Sequence, residues 1–268
     1  MRKTFIATAV ATAFLLPTLV LAADAPANAA PAAPAAAPAA APANPFTGNV
    51  MIASEYLYRG IAQTRGKPAI QGGFDYAHPS GFYVGTWGSS ISWIGDTYPA
   101  GTSASLELDI YGGYKGAITD DFGYDVGVLT YNYPGKYLSG ATKPDTTEIY
   151  AALSWKWLSA KYSHSTTNLF GTPKSSGSGY VDVTGTFDLG DGWGVVAHGG
   201  HQSVKGTSAG DYSDWKLGAT KDVGIGTVGL SFLGTNAKDS CSGAGQYYCF
   251  GGYSAGKSRG LLTFGKTL

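Results

Sequence analysis

The chain has 268 residues, of which 13% are charged and 13% aromatic, with 40 glycines and with 18 acidic side chains cancelling 18 basic ones. A soluble domain carries about 25% Asp, Glu, Lys and Arg, so the shortage of charge calls for a surface that does not meet water. Balanced charge offers no footing for nucleic acid or a polybasic membrane anchor, and beyond the first two dozen residues no apolar run is long enough to cross a bilayer as a helix.

Residues 1–22 read as a secretory signal peptide. Arg2 and Lys3 precede an apolar stretch from Phe5 to Leu21, and Val20-Leu21-Ala22 presents a cleavage site before Ala23. The alternative, a short membrane anchor, lacks a stop-transfer charge cluster. Residues 23–45 are almost wholly Ala and Pro, and the recurring proline blocks a continuous helix and favours an extended linker. This segment reads as a periplasmic spacer or as a docking segment for an envelope partner.

From residue 46 to 268 apolar and polar residues take turns along a dozen stretches, the pattern of strands with one face on lipid and one on a lumen. The first strand is predicted from Gly48 to Ile61, with Val50, Ile52, Tyr56 and Tyr58 outward and Glu55 and Arg59 inward. A charge facing lipid costs about 2–4 kcal/mol at the bilayer midplane, so the charged parity must point into the barrel. The same sorting continues along the chain. Asp75 opposes Phe74 and Tyr76; Glu107, Asp109 and Tyr111 oppose Leu106, Leu108 and Ile110; Asp125 and Tyr131 oppose Val126 and Val128. Glu148 and Lys156 oppose Ile149 and Trp155, Lys161 opposes Tyr162, Asp182 opposes Val181 and Val183, and Lys216 opposes Trp215 and Leu217. Strands over Gly81–Ser90, Trp193–Gln202 and Gly226–Thr235 carry weaker patterns because Gly and Ser fill many positions. The last runs from Ala255 to Leu268, with Arg259 inward.

Short turns near residues 78–81, 116–121, 158–159, 189–192 and 222–226 alternate with longer loops near residues 62–68, 91–103, 134–146, 165–179, 203–213 and 236–254. The fold class is therefore all-β: a transmembrane antiparallel up-and-down β-barrel of about 12 strands in the bacterial outer membrane. An even number places the N- and C-termini together, in the periplasm with the short turns. Trp87, Trp93, Trp155, Trp157, Trp193 and Trp215 are expected in the aromatic girdles. Leu268 departs from the terminal aromatic residue that the barrel-assembly machinery reads in many such proteins. Cys241 and Cys249, the only cysteines, are expected to form a disulfide in the last outer loop, since no further Cys or His lies near enough for a metal site.

Several stretches, SEYLYRGIAQ (54–63), PAIQGGFDYAHPSGFYVGTW (68–87), ELDIYGG (107–113), GYDVGVLTY (123–131), WKLGATKDV (215–223) and the two-cysteine loop leading to Leu262-Thr263-Phe264, together resemble the TorF-like porins, also called the Gcw_chp family. The resemblance covers nearly the whole barrel and implies an outer-membrane barrel of porin type, with no substrate specified.

The expected activity is diffusion of small polar or charged solutes through a narrow charged lumen, with no cofactor and no metal. The expected lining is Glu55, Arg59, Asp75, Glu107, Asp109, Tyr111, Asp125, Tyr131, Glu148, Lys156, Lys161, Asp182, Lys216 and Arg259, with Glu55, Arg59, Glu107 and Asp109 as the constriction. A plugged structural or adhesive barrel is the alternative. A lipid hydrolase is a further one, although His198, His201 and Ser203, or Ser163 and His164, form no recognisable nucleophile motif. Expected partners are outer-membrane lipids, lipopolysaccharide phosphates at a basic loop rim, the assembly machinery and small solutes, with no nucleic acid.

Overall fold

Strict alternation lets one residue in two meet lipid, and a sheet so patterned must close, because an open edge would leave unpaired backbone groups in hydrocarbon. The computed structural model describes residues 44–242 and 246–268; the predicted signal peptide and all but the last two residues of the 23–45 segment lie outside these. Twelve strands form one closed barrel: β1 Phe46–Ala53, β2 Ala69–Ala77, β3 Phe82–Ser90, β4 Leu106–Ala117, β5 Phe122–Asn132, β6 Thr146–Trp155, β7 Leu158–Ser165, β8 Gly179–Gly190, β9 Trp193–Ser203, β10 Tyr212–Asp222, β11 Thr227–Thr235 and β12 Arg259–Thr267. Each pairs antiparallel with its sequence neighbour. Closure is made by β1 on β12, with Ile52 opposite Phe264 and Met51 opposite Gly265. The amide of Leu268 donates to the carbonyl of Gly48 at 2.7 Å, so both ends of the barrel sequence lie at the short-turn end.

The outer face is apolar: Ile52, Phe74, Leu153, Leu217 and Leu230 are all more than half exposed, whereas Gln71, Glu107, Asp109 and Glu148 on the opposite parity are buried. Such a surface is stable only in hydrocarbon, which places the barrel in a membrane of outer-membrane type. Trp155, Trp157 and Trp193 ring the outside near the short turns, and Trp215 lies outside toward the other end. Trp87 and Trp93 correct the expectation. Trp87 points inward, edge-on to Tyr56, and Trp93 is packed in the loop that follows β3.

Many inward glycines make room for tyrosines from the neighbouring strand. Gly85 lies opposite Tyr111, Gly113 opposite Tyr83, and Gly127 opposite Tyr150. A Cβ on Gly113 would lie 2.6 Å from the Tyr83 hydroxyl and one on Gly127 2.5 Å from that of Tyr150, so no larger residue fits without moving the ring. Tyrosine rings are thus laid flat along the wall instead of projecting across the lumen.

Several local boundaries differ from the sequence reading, among them the last strand, predicted from Ala255 and observed from Arg259. The turn between β6 and β7 falls at Lys156-Trp157, with Lys156 in a left-handed conformation (φ 50), and Leu158-Ser159 already belong to β7. The larger difference is that β1 ends at Ala53, and the segment predicted to continue it to Ile61 enters the barrel instead. There Leu57–Tyr58 pairs antiparallel with Ile61–Ala62. The turn residues Arg59 (φ 46) and Gly60 (φ 76) both have positive φ, as a two-residue type I′ hairpin requires.

Candidate functional site

The inserted hairpin is wedged between two unlike walls. On one side Leu57 and Ile61 pack on the inward Leu233 and Leu261 of β11 and β12 and on Tyr212 of β10. Burying a side chain of this size contributes roughly 1.5–3 kcal/mol, so this contact fixes the hairpin's seat. On the other side Tyr56 donates to Glu107 Oε1 at 2.6 Å, and Tyr58 donates to the Tyr131 hydroxyl at 2.9 Å. Backbone bonds secure its base: Gln63 N donates to Tyr56 O at 2.8 Å and Ala62 N to Ala255 O at 2.9 Å.

Arg59 sits at the tip. Its guanidinium grips Glu148 of β6 with two nitrogens, at 2.8 and 3.2 Å, and donates to Gln202 Oε1 of β9 at 2.7 Å. It also stacks 4.1 Å above the Tyr180 ring of β8. A buried ion pair of this bidentate kind offsets its desolvation only through close, charge-assisted hydrogen bonds such as these. Gly60 beside it leaves no room for a side chain, since a Cβ there would lie 2.6 Å from Thr235 Cγ2.

Glu55 and Arg59, predicted to share one strand face, are separated by this geometry. Glu55 pairs with Arg259 at 3.0 Å and accepts from Gly66 N at 2.6 Å, holding the start of the loop to β12 near the long-loop end. Glu107, Tyr131 and Glu148 are brought to the hairpin, and Asp109 is buried near them, neither of its carboxylate oxygens hydrogen-bonded among the described residues. Asp182, Lys216 and Asp214 face inward on β8 and β10, around His198 of β9. His198 Nε2 lies 2.9 Å from Asp214 Oδ2, and its Nδ1 lies 3.0 Å from Thr184 Oγ1.

Toward the short turns the inside is built from tyrosine and carboxylate. Tyr83 donates to Asp125 and Tyr111 to Asp75, each at 2.6 Å, and Lys161 lies 4.3 Å above the Tyr150 ring. Lys156 does not join them: half exposed in its turn, it faces Asp121 at 3.6 Å. The sequence reading missed Tyr58, Tyr180, His198 and Gln202, although the last three share the inward parity of their strands. His201, on the outward parity, contacts Ser213 Oγ at 3.0 Å, away from His198.

The long loops are tied to one another, with Arg65 donating to Gly251 O. A disulfide joins Cys241 and Cys249 with their Cα atoms 5.3 Å apart, and Arg65 pairs with Asp96 at 2.8 Å. The loop lysines Lys67, Lys136, Lys143, Lys174, Lys205 and Lys238 are exposed, while Asp145 and Asp211 accept from the backbone amides of Tyr133 and Val204. Burial, with the Asp145 carboxylate second, pushes the phenol of Tyr98 up and that of Tyr137 to about 12, so both rings stay neutral at physiological pH.

These features define a membrane-spanning β-barrel with a polar interior crossed by an inward-folded first loop. The chain belongs to the family described as "Bacterial protein of unknown function (Gcw_chp)", whose model matches residues 36–267. No curated protein matches it in sequence. Among solved structures it is similar to the NanC porin (10% identity, 83% of this chain and 98% of that one, TM-score 0.49). It is also similar to an outer membrane channel from Pseudomonas putida F1 (12% identity, 85% and 96%, TM-score 0.46) and to LpxR from Salmonella typhimurium (9%, 83% and 99%, TM-score 0.44).

Proposed function

We propose that the protein is an outer-membrane channel of the TorF-like porin type, passing small polar or charged solutes through a narrow lumen whose constriction is the Arg59 hairpin. The observation that carries this reading is that the barrel interior is lined by charge and tyrosine hydroxyl, with Arg59, Glu148 and Gln202 meeting across its width. Opposed charges facing one another inside a barrel order water and polar solutes in a pore. In the same reading residues 1–22 export the chain, residues 23–45 are a periplasmic spacer, and the long loops face outside. The exposed loop lysines would then meet lipopolysaccharide phosphates, and the assembly machinery would insert the barrel.

Planar-bilayer recording of the folded full chain tests it. Wild type is expected to give small, discrete current steps. Arg59→Ala is expected to conduct more and, with Glu148 left unpaired, to shift the reversal potential in asymmetric salt toward cation preference. Silence from both proteins would instead support a plugged structural barrel, the reading favoured by the tight seating of the hairpin.

A further inference from the structure

Directly opposed register positions on β4 to β8 carry an inward row of charges that change sign along the wall. Lys115 on β4 faces Asp125 on β5, Asp125 faces Ala152 on β6, Ala152 faces Lys161 on β7, and Lys161 faces Asp182 on β8. Neighbouring strands lie about 4.8 Å apart, so the row is a flight of short steps. Because the strands are staggered, the row climbs. Lys115 and Asp125 lie near the short turns, whereas Asp182 lies toward the long-loop end of β8, one inward position from the Tyr180 ring on which Arg59 stacks.

Opposite charges facing each other across a ladder ordinarily close into ion pairs. These do not: among the described residues neither the Lys115 nor the Lys161 ammonium comes within 4.0 Å of a carboxylate oxygen. Tyrosine keeps them apart. One ring, Tyr83, gives its hydroxyl to Asp125 at 2.6 Å and its face to the Lys115 ammonium, 5.2 Å from the centroid, while the Tyr150 face holds Lys161 at 4.3 Å. The hydroxyls of Tyr83 and Tyr150 bond to each other, which fixes both platforms. Both lysines act on Asp125 only through space. Each ammonium therefore keeps donors that a solute can take up.

We propose that this row selects zwitterionic solutes, of the class of short amino acids with separated ammonium and carboxylate groups, which advance along the wall by exchanging one pair of opposite charges for the next. A lone cation drawn to Asp125 is repelled by the lysine on either side, and a lone anion drawn to Lys161 is repelled by the carboxylate on either side. A solute with both signs finds a complementary group for each end at successive steps, and a neutral one gains nothing. The last exchange falls at the hairpin, where Arg59 and Glu148 present one group of each sign. Weak attraction of this kind concentrates a solute in the lumen without trapping it, and so raises its flux. The inference rests on the channel reading and names its solute class.

Swelling of proteoliposomes carrying the folded full chain, followed by light scattering against protein-free liposomes, tests it with two isomers of one formula: γ-aminobutyrate, a zwitterion, and γ-hydroxybutyramide, which is neutral. Wild type is expected to admit the zwitterion roughly two- to five-fold faster, the effect of one solvent-screened ion contact. Asp125→Asn and Lys161→Gln each remove one sign and are expected to bring the ratio of the two rates toward one. Lys115→Gln should act in the same direction; Lys115 is the most exposed step, so its replacement disturbs the fold least. Equal rates in wild type would leave the channel standing and overturn the zwitterion row. A ratio lost in Asp125→Asn yet kept in both lysine variants would overturn it too, by making the path one for cations, and the converse pattern would make it one for anions. Swelling in neither solute would sink the channel reading and this inference with it.

Discussion

Arg59 occupies a left-handed backbone position that a non-glycine residue seldom adopts, and it does so deep inside the barrel. What holds it is the number of its partners: Glu148, Gln202 and the faces of Tyr58 and Tyr180 surround one guanidinium. Removing one member of such a pair leaves the other charge buried. Glu148→Ala is therefore expected to destabilise the folded barrel by about 3–5 kcal/mol, measured by guanidinium unfolding in lipid vesicles. The double variant Arg59→Ala/Glu148→Ala should lose less than the sum of the two single changes, because neither charge is then stranded. Additive losses would show that the pair does not act as a unit. Of the groups that meet at the hairpin tip, Arg59 and Glu148 stand in the chain as charges on one parity, but Glu148 is not among the four residues that the sequence reading places at the constriction, and Gln202 is not in its lining. Their pairing is not legible in the chain either, since Arg59 reaches a carboxylate 89 residues away and an amide 143 residues away.

At the scale of elements, alternation located nearly every barrel strand, because lipid penalises each misplaced charge separately and so writes itself into the sequence. It failed at the first loop for a physical reason. A hairpin arm has the same two-residue period as a strand, and Tyr56, Tyr58 and Ile61 carry no mark that distinguishes lipid from the apolar inner wall of β10 to β12. The Arg59-Gly60 pair, flanked by Leu57-Tyr58 and Ile61-Ala62, was the local sign of a tight turn. The tyrosine-for-glycine exchange between neighbouring strands is a second element-scale device hidden from periodicity. Gly127→Leu should push Tyr150 off the wall into the lumen, lowering the temperature at which the folded band is lost in heat-modifiability gels. A gel profile unchanged from wild type would mean that the ring relocates without strain.

Taken whole, the molecule is a cylinder whose wall is assembled from sequence neighbours and whose contents come from its first loop. Every wall pairing except β1 with β12 joins consecutive strands, whereas the hairpin draws its neighbours from β4 through β12. The hairpin is thus made early in the chain, but its seat does not exist until the last strand is in place. Assembly should accordingly pass through a stage in which the cylinder is complete and still hollow. Refolding into vesicles, followed by tryptophan fluorescence for insertion and by calcein leakage for openness, is expected to show leakage that rises with insertion and then falls as Arg59 finds Glu148; Arg59→Ala should keep the leak. A newly inserted copy would then be a brief hazard to the compartment it serves, and the speed with which its own first loop swings home would set how long that breach lasts.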